Sequence, residues 1–329
     1  MYNKEFHTVD LSKYKFLITG GAGFIGSNLV EYLIKYNAGL VRVLDNLSNG
    51  YYENIKKFEG LSNFQFIQGD IRDYETCIKA VDEIDFVSHQ AALGSVPRSL
   101  KDPITTNNVN IGGFLNMLNA AKLSSSLKRF VYAASSSTYG DSEASPKVEG
   151  VEGNPLSPYA VTKLVNEIYA DVFFKVYDMK TIGLRYFNVF GPNQNPNNPY
   201  AAVIPIFCRT AINNETIFIN GDGKTSRDFT FIENVIQANI KAMLFKELTR
   251  NEVFNVACGE QTSLNDVVSL LNKISGKNIN VVYKEFRSGD IRHSKANIEK
   301  IKKQLNYTPT VFFSTGLEIV YNWYKINNL

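Results

Sequence analysis

Tyr159 and Lys163 stand four residues apart in Ser157-Pro158-Tyr159-Ala160-Val161-Thr162-Lys163. On a helix that spacing puts both side chains on one face, so an ammonium lies beside a phenol and favours the phenolate. A tyrosine titrating near ~10 is a poor base at neutral pH, and a nearby ammonium together with the positive ring of a nicotinamide pushes it toward usefulness. Upstream lies a hydroxyl run, Ser135-Ser136-Ser137-Thr138-Tyr139. Ser135 is the candidate to hold a reacting oxygen while Tyr159 moves its proton. Proton removal from a carbinol becomes chemistry only if something takes the hydride.

A second motif supplies the place for a hydride carrier. The apolar run Lys15 to Thr19 leads into Gly20-Gly21-Ala22-Gly23-Phe24-Ile25-Gly26, with glycines at 20, 23 and 26. Such a turn between strand and helix needs glycine for a tight bend, for close approach of backbone to a pyrophosphate and for packing of helix on strand; the helix N-terminus adds N–H donors. Asp45, 19 residues beyond Gly26, ends the next apolar run, where a carboxylate can bind the adenosine ribose hydroxyls. A 2'-phosphate would meet that charge, and Asn46-Leu47-Ser48-Asn49-Gly50 holds no arginine to offset it. The expected cofactor is therefore NAD. Further apolar runs end at Gly69-Asp70-Ile71 and Gln90-Ala91-Ala92, giving Asp70 as a partner for the adenine amino group or, equally, as a helix N-cap.

The elements that must position these groups alternate short β-rich runs with amphipathic stretches, as in a doubly wound parallel α/β sheet of Rossmann type. Strands are expected at Lys15 to Thr19, Leu40 to Asp45, Phe64 to Gly69, Asp85 to Gln90, Arg129 to Ala134 and Lys180 to Asn188. Helices are expected at Phe24 to Tyr36, where Ile25, Leu29, Val30, Leu33 and Ile34 share a face, at Asp102 to Leu123 and at Pro158 to Tyr177. After Asn188 a Pro- and Asn-rich loop opens a smaller C-terminal lobe. The expected division is a nucleotide domain over 1–188, with segments near 229–258 returning to it, and a substrate lobe over 189–329.

Composition excludes other classes. Lys plus Arg number 35 against 32 Asp plus Glu, a net +3 too balanced for a general nucleic-acid surface. Cys77, Cys208 and Cys258 form no paired motif and, with three His residues, suggest reduced core thiols and no metal site. No stretch approaches ~18 consecutive apolar residues, and the first 15 residues lack an apolar signal core, so the expected compartment is the cytoplasm and no membrane partner is expected.

The glycine turn, serine run and Tyr159/Lys163 pair together resemble the extended short-chain dehydrogenase/reductase family, from Phe16 to about Trp323. The resemblance implies cofactor contacts at Phe24, Ile25, Asn46, Ser48, Gly50, Ile71, Ala91, Ala92, Asn110 and Tyr186, beside the glycines, Asp45, Asp70, Gln90, Tyr159 and Lys163. It also implies a nucleoside diphosphate sugar as substrate. Arg185 to Pro192 and Ser226-Arg227-Asp228-Phe229 match family motifs in which Asn188 and Arg227 hold the diphosphate; Arg287 would join that clamp and Asp290 would bind ribose. Arginine suits this task because its planar fork pairs with phosphate oxygens twice.

Within the family, Gln90 to Ser99, Ala133 to Asp141 and Tyr200-Ala201-Ala202-Val203-Ile204-Pro205 resemble bacterial UDP-N-acetylglucosamine 4-epimerases. That likeness implies substrate contacts at Ser95, Ser136, Ser137, Ala202, Val203, Asn220 and Ser294, and a homodimer formed through Asp102 to Leu123 and Pro158 to Tyr177. One departure falls at Gly191-Pro192-Asn193-Gln194-Asn195, where the subgroup more often carries two arginines. A 4,6-dehydratase would need an Asp-Glu pair where Ser136 and Ser137 stand, and a decarboxylase a glutamate beside the serine run. A non-catalytic NAD-binding protein would predict damage at Tyr159 or Lys163, and both are intact.

Overall fold

The computed structural model describes residues 2–198, 200–286 and 292–327. Six strands, β1 (Lys15–Thr19), β2 (Leu40–Asp45), β3 (Phe64–Gln68), β4 (Phe86–His89), β5 (Arg129–Ser135) and β6 (Thr181–Tyr186), join the later strand Glu252–Val256 in one sheet. Its order is Glu252–Val256, β6, β5, β4, β1, β2, β3, and every pairing is parallel. Strands with both faces covered are buried almost throughout, as β1, β4 and β6 are. Along β1, Phe16 and Ile18 enter one core while Leu17 enters the other. The helix Phe24–Lys35 packs on the first side; Phe114–Leu123 packs on the second. The strand order reverses between β1 and β4, and ligands of open α/β sheets bind outside the carboxyl ends at such a switch point.

Two expected elements are altered. The run Lys180 to Asn188 is cut after Tyr186, because Asn188 takes a left-handed backbone at φ 36° and a separate short strand, Val189–Phe190, follows. The helix expected over Asp102 to Leu123 is broken. Val96–Lys101 precedes it, Asp102 caps a restart at Pro103–Asn107, and a π-helical turn, Asn108–Gly113, intervenes before Phe114–Leu123. Close packing explains part of this: a Cβ on Gly113 would lie 2.5 Å from the Ile71 side chain.

The helix Pro158–Tyr177 begins and ends as expected. Ser157 caps it by accepting from the Ala160 N–H, Pro158 fills the first turn where no N–H is needed, and Asp178 closes it with φ 51°. Beyond it, the helix Ile232–Leu244 returns to the sheet, touching β4, β5 and β6. Three small sheets follow elsewhere: Ile217–Asn220 with Val281–Lys284, Ser226–Arg227 between Thr262–Ser263 and His293–Ser294, and Val189–Phe190 with Thr230–Phe231. Cys77, Cys208 and Cys258 are buried and unpaired. Among the described residues no helix is long and apolar enough to cross a membrane.

Candidate active site

The turn after β1 shows why it carries glycine. Gly20 has φ 66°, and a Cβ there would lie 2.7 Å from the Ala91 nitrogen; one on Gly26 would lie 2.2 Å from the Gly20 carbonyl oxygen. Gly23 caps the helix, with a milder 3.2 Å approach. Gly21, outside the expected triplet, is as tightly confined, 2.6 Å from Val43 Cγ1. Gly20, Gly23, Phe24, Ile25 and Gly26 thus line a cleft of about 540 Å³. Asp45, Asn46, Ser48 and Gly50 wall its far end. The Asp45 carboxylate accepts from the Ala22 N–H (3.0 Å) and the Leu47 N–H (2.8 Å). Burial raises its pKa, and those two bonds oppose the rise.

Asp70 and Ile71 also line the cleft. The N-cap reading of Asp70 fails, because the helix Tyr74–Val81 is capped by Asp73. Asp70 instead accepts from Arg72 Nε (3.0 Å), Arg72 Nη2 (2.7 Å) and Asn46 Nδ2 (2.8 Å). The Arg72 hydrogen bond leads in holding its pKa down to about 2.

At the cleft's other end stand Tyr159, Lys163 and Ser135, with Gln90, Ala91, Ala92 and Tyr186 nearby. The Ser135 hydroxyl stands close enough to Tyr159 to favour its phenolate. Ser135 Oγ in turn accepts from the Ser137 N–H (3.2 Å) and hydroxyl (2.9 Å). Lys163 is 3% exposed, donates to the Ala133 carbonyl at 2.7 Å and lies 6.0 Å from the Tyr159 ring centroid. The shared face is as the spacing requires, and Lys163 alone does not lower the Tyr159 pKa. Burial raises the Tyr159 pKa, opposed by the Ser135 bond, and burial lowers Lys163 to about 8, opposed by Glu167. Without a dinucleotide's positive ring, burial therefore keeps Tyr159 protonated at neutral pH.

Asn110 does not line the cleft. It is 2% exposed, accepts from the Leu93 N–H (2.8 Å), and donates to the Leu93 carbonyl and Thr162 Oγ1, each at 3.1 Å. Its contacts tie the wall after β4 to the helix that carries Tyr159. Ser136 and Ser137 likewise stay out of the cleft wall, because the turn Ser136–Tyr139 coils away and Ser137 is spent on Ser135. Ser95 lines the wall, with φ 99°, and its Oγ caps the helix Val96–Lys101 by accepting from the Arg98 N–H at 3.3 Å.

A second cavity of about 350 Å³ meets the first at Val189 and Ala202. Asn188, Val203, Asn220 and Arg227 line it, bringing five of the expected substrate residues, Ala202 included, into one place. Arg227 Nη1 donates to the Ser226 carbonyl at 2.9 Å. Asp228 beside it is fully buried and accepts from the Cys258 and Gly259 N–H groups at 3.0 Å and from that of Ala296 at 3.2 Å. Burial pushes its pKa up to about 6 against those bonds. Ser294 pairs with Arg227 in strand register but lines neither cavity. Arg287 and Asp290 lie outside the described residues.

Sequence reasoning passed over several groups. Arg185 Nε donates to Glu167 Oε1 at 2.8 Å, Nη2 to Glu167 Oε2 at 2.6 Å and Nη1 to Glu152, with the guanidinium 4.8 Å from the Tyr139 ring centroid. This buried cluster locks the Tyr159 helix to β6. Its signal was Glu167, four residues after Lys163 on the same face. Arg98, Asn193, Gln194, Asn195, Asn198 and Tyr200 also line the first cleft.

A doubly wound sheet with a glycine turn at its switch point and a Tyr–Ser–Lys set at the neighbouring strand end defines an extended short-chain dehydrogenase/reductase. The profile of the family described as GDP-mannose 4,6 dehydratase matches residues 17–320, and the chain belongs to that family. A putative UDP-glucose 4-epimerase of Methanocaldococcus jannaschii is 33% identical, over 95% of this chain and 99% of that protein. The structure of a UDP-N-acetylglucosamine 4-epimerase from Methanobrevibacter ruminantium M1, in complex with UDP-N-acetylmuramic acid, matches with TM-score 0.89 and 36% identity, covering 96% of this chain and 99% of the other. That of a UDP-glucuronic acid 4-epimerase from Bacillus cereus, with UDP-glucuronic acid and NAD, gives TM-score 0.87 and 34% identity over 95% and 99%.

Proposed function

We propose that this chain interconverts UDP-N-acetylglucosamine and UDP-N-acetylgalactosamine, as an NAD-dependent UDP-sugar 4-epimerase. One observation carries the reading: Tyr159 and Ser135 close one end of a dinucleotide-shaped cleft that opens, at Val189 and Ala202, into a second cavity bearing Arg227 and Asn188. The cradle fits NAD, since Gly20 and Gly26 leave no room for a Cβ and Asp45 presents a carboxylate at the adenosine end without a compensating arginine in 46–50.

Bound NAD supplies reversible hydride exchange at the sugar's carbon 4. The protein's residues do the rest. Ser135 holds the 4-oxygen, and Tyr159, whose phenolate is favoured once the positive nicotinamide ring of bound NAD joins Lys163 beside it, takes the hydroxyl proton as the 4-ketone forms and returns it on reduction. Lys163, fixed on the Ala133 carbonyl, is the cation beside that phenol. Arg227 and Asn188, with Arg287, grip the diphosphate, so the keto sugar can turn about its handle and accept reduction on the opposite face; Asp290 binds the ribose. Ala202, Val203 and Asn220 line the path to the nucleoside end. Ser95, Ser136 and Ser137 remain the candidates for the N-acetyl group or sugar, and Ser294 the small residue that leaves the pocket room, although of these four only Ser95 lines a cavity.

A 4,6-dehydratase needs an acid and a base at carbons 5 and 6, and Ser136 and Ser137 supply neither. For assembly we propose a homodimer in the cytoplasm. Val161, Ile168, Val172 and Val176 form an exposed apolar stripe on the helix Pro158–Tyr177, with Ile104 and Leu123 also exposed on the broken helix. Monomeric scattering at micromolar concentration would remove that part of the reading.

The test incubates the purified protein separately with UDP-N-acetylglucosamine, UDP-glucose and UDP-N-acetylglucosaminuronic acid, without added NAD, and follows the anomeric protons by NMR. The expected outcome is conversion of the first to its galacto epimer, faster than either alternative. If none of the three epimerises even with NAD supplied, the reading is wrong.

A further inference from the structure

The cleft wall contains a cation that the catalytic chemistry does not use. Arg98, on the short helix after β4, donates from Nη2 to Asn49 Oδ1 at 2.9 Å, and its guanidinium lies 4.9 Å from the Tyr200 ring centroid. All three residues line the first cleft. Among the described residues Arg98 makes no ion pair, and Lys163, the other lysine or arginine among those lining the wall, is buried. Of the two acids among the described residues of the wall, Asp70 is already matched by Arg72 and Asp45 by backbone N–H groups.

Position gives the cation its meaning. In the sheet, β1 lies between β4 and β2, so a bond from the segment after β4 to Asn49, in the segment after β2, passes over the glycine turn after β1. Two further bonds hold the Asn-rich loop to the same elements: Asn193 Nδ2 to Ser27 Oγ (3.1 Å) and Asn195 Nδ2 to the Tyr51 hydroxyl (2.5 Å). The glycine turn offers a dinucleotide only N–H donors and a partial dipole, and the pyrophosphate brings two full negative charges.

We propose that Arg98 retains the cofactor: its guanidinium pairs with the dinucleotide's pyrophosphate, and its bridge to Asn49, backed by Tyr200, bars the exit. This rests on the proposed NAD-dependent epimerisation. Such a reaction has no net redox change, so a cofactor lost between its two halves would leave reduced dinucleotide and a stranded ketone. A planar fork can hold Asn49 and a phosphate oxygen at once, which an ammonium does less well.

The test measures NAD bound per chain as purified, and the rate of NAD release after rapid exchange into NAD-free buffer, for wild type, Arg98→Ala, Arg98→Gln and Asn49→Ala. A charged hydrogen bond contributes ~1.5–3 kcal/mol, so Arg98→Ala is expected to release NAD about 10- to 100-fold faster. Arg98→Gln, which can keep a bond to Asn49 without the charge, is expected to release faster and to lose the salt dependence of wild-type release. Asn49→Ala is expected to speed release several-fold with the salt dependence kept. Release from Arg98→Ala and Arg98→Gln within about twofold of wild type overturns the inference. A wild type that binds no NAD at all overturns instead the reading on which it rests.

Discussion

Replacing Lys163 with methionine should abolish activity and make the cofactor-free protein more stable. The ammonium is 3% exposed, and burial lowers its pKa from 10.5 to about 8. At 1.36 kcal/mol per pH unit that depression represents roughly 3 kcal/mol of penalty on the charged side chain in the folded state. Methionine removes the penalty and fills much the same space, but strands the Ala133 carbonyl, at ~1–2 kcal/mol. The net gain at pH 7 is therefore about 1–2 kcal/mol, or a Tm rise of about 1.5–3 °C for a chain of this size. The sign with pH follows from proton binding. Between about 8 and 10.5 the unfolded chain still holds the lysine proton and the folded one does not, so wild-type stability rises with pH and the variant's advantage disappears. Thermal melts of dinucleotide-free wild type and Lys163→Met at pH 7, 8, 9 and 10 measure this. A variant less stable at pH 7, or a difference that does not shrink by pH 10, refutes the argument.

Tyr159→Phe should lower turnover by ~10²–10⁴, with the fold and NAD content kept, as read by the NMR assay and by released NAD. Gly26→Ala puts a methyl 2.2 Å from the Gly20 carbonyl oxygen; soluble protein is expected to carry little or no NAD and to melt well below wild type. Glu167→Gln leaves the Arg185 guanidinium facing an uncharged partner, with Glu152 the remaining carboxylate. Breaking a buried pair costs ~3–5 kcal/mol, and the surviving Glu152 contact places the expected loss in urea unfolding at the lower end.

The sheet was readable because parallel strands covered on both faces are short, apolar and bounded by turns, and the glycine turn because its steric demands leave few residue choices. What sequence hid was mostly direction. Asp70 and Asp73 are equally good N-caps on paper, and only the chain's path after β3 gives that task to Asp73 and frees Asp70 for Arg72. Ser136 and Ser137 follow Ser135 directly, but a tight helical turn carries them off the cleft wall. Asn110 carries no mark of its direction in sequence, and in the fold its amide is consumed by Leu93 and Thr162. Arg98 sits on a six-residue helix with the composition of a solvated surface, and the amides of 193–198 have no periodicity to mark them as a wall. The electrostatics of Tyr159 and Lys163 escaped for a different reason: spacing conveys adjacency, while the pKa of each group is governed first by burial.

The π-helical turn Asn108–Gly113 bears on how this chain can tolerate length changes. A π turn accommodates one more residue than an α turn over the same rise, so it behaves as an insertion absorbed within a helix. Deleting a single residue there would let the helix close as regular α while the flanking turns kept their faces, so the change would be confined to the turn itself. Asn110 lies within that turn, and its bonds to Leu93 and Thr162, which fasten the wall after β4 to the helix bearing Tyr159, are the ones such a deletion would disturb. A segment that reads as ordinary helix thus carries one residue more than an α-helix would, and the fastening between the two halves of the site is built on that residue's turn.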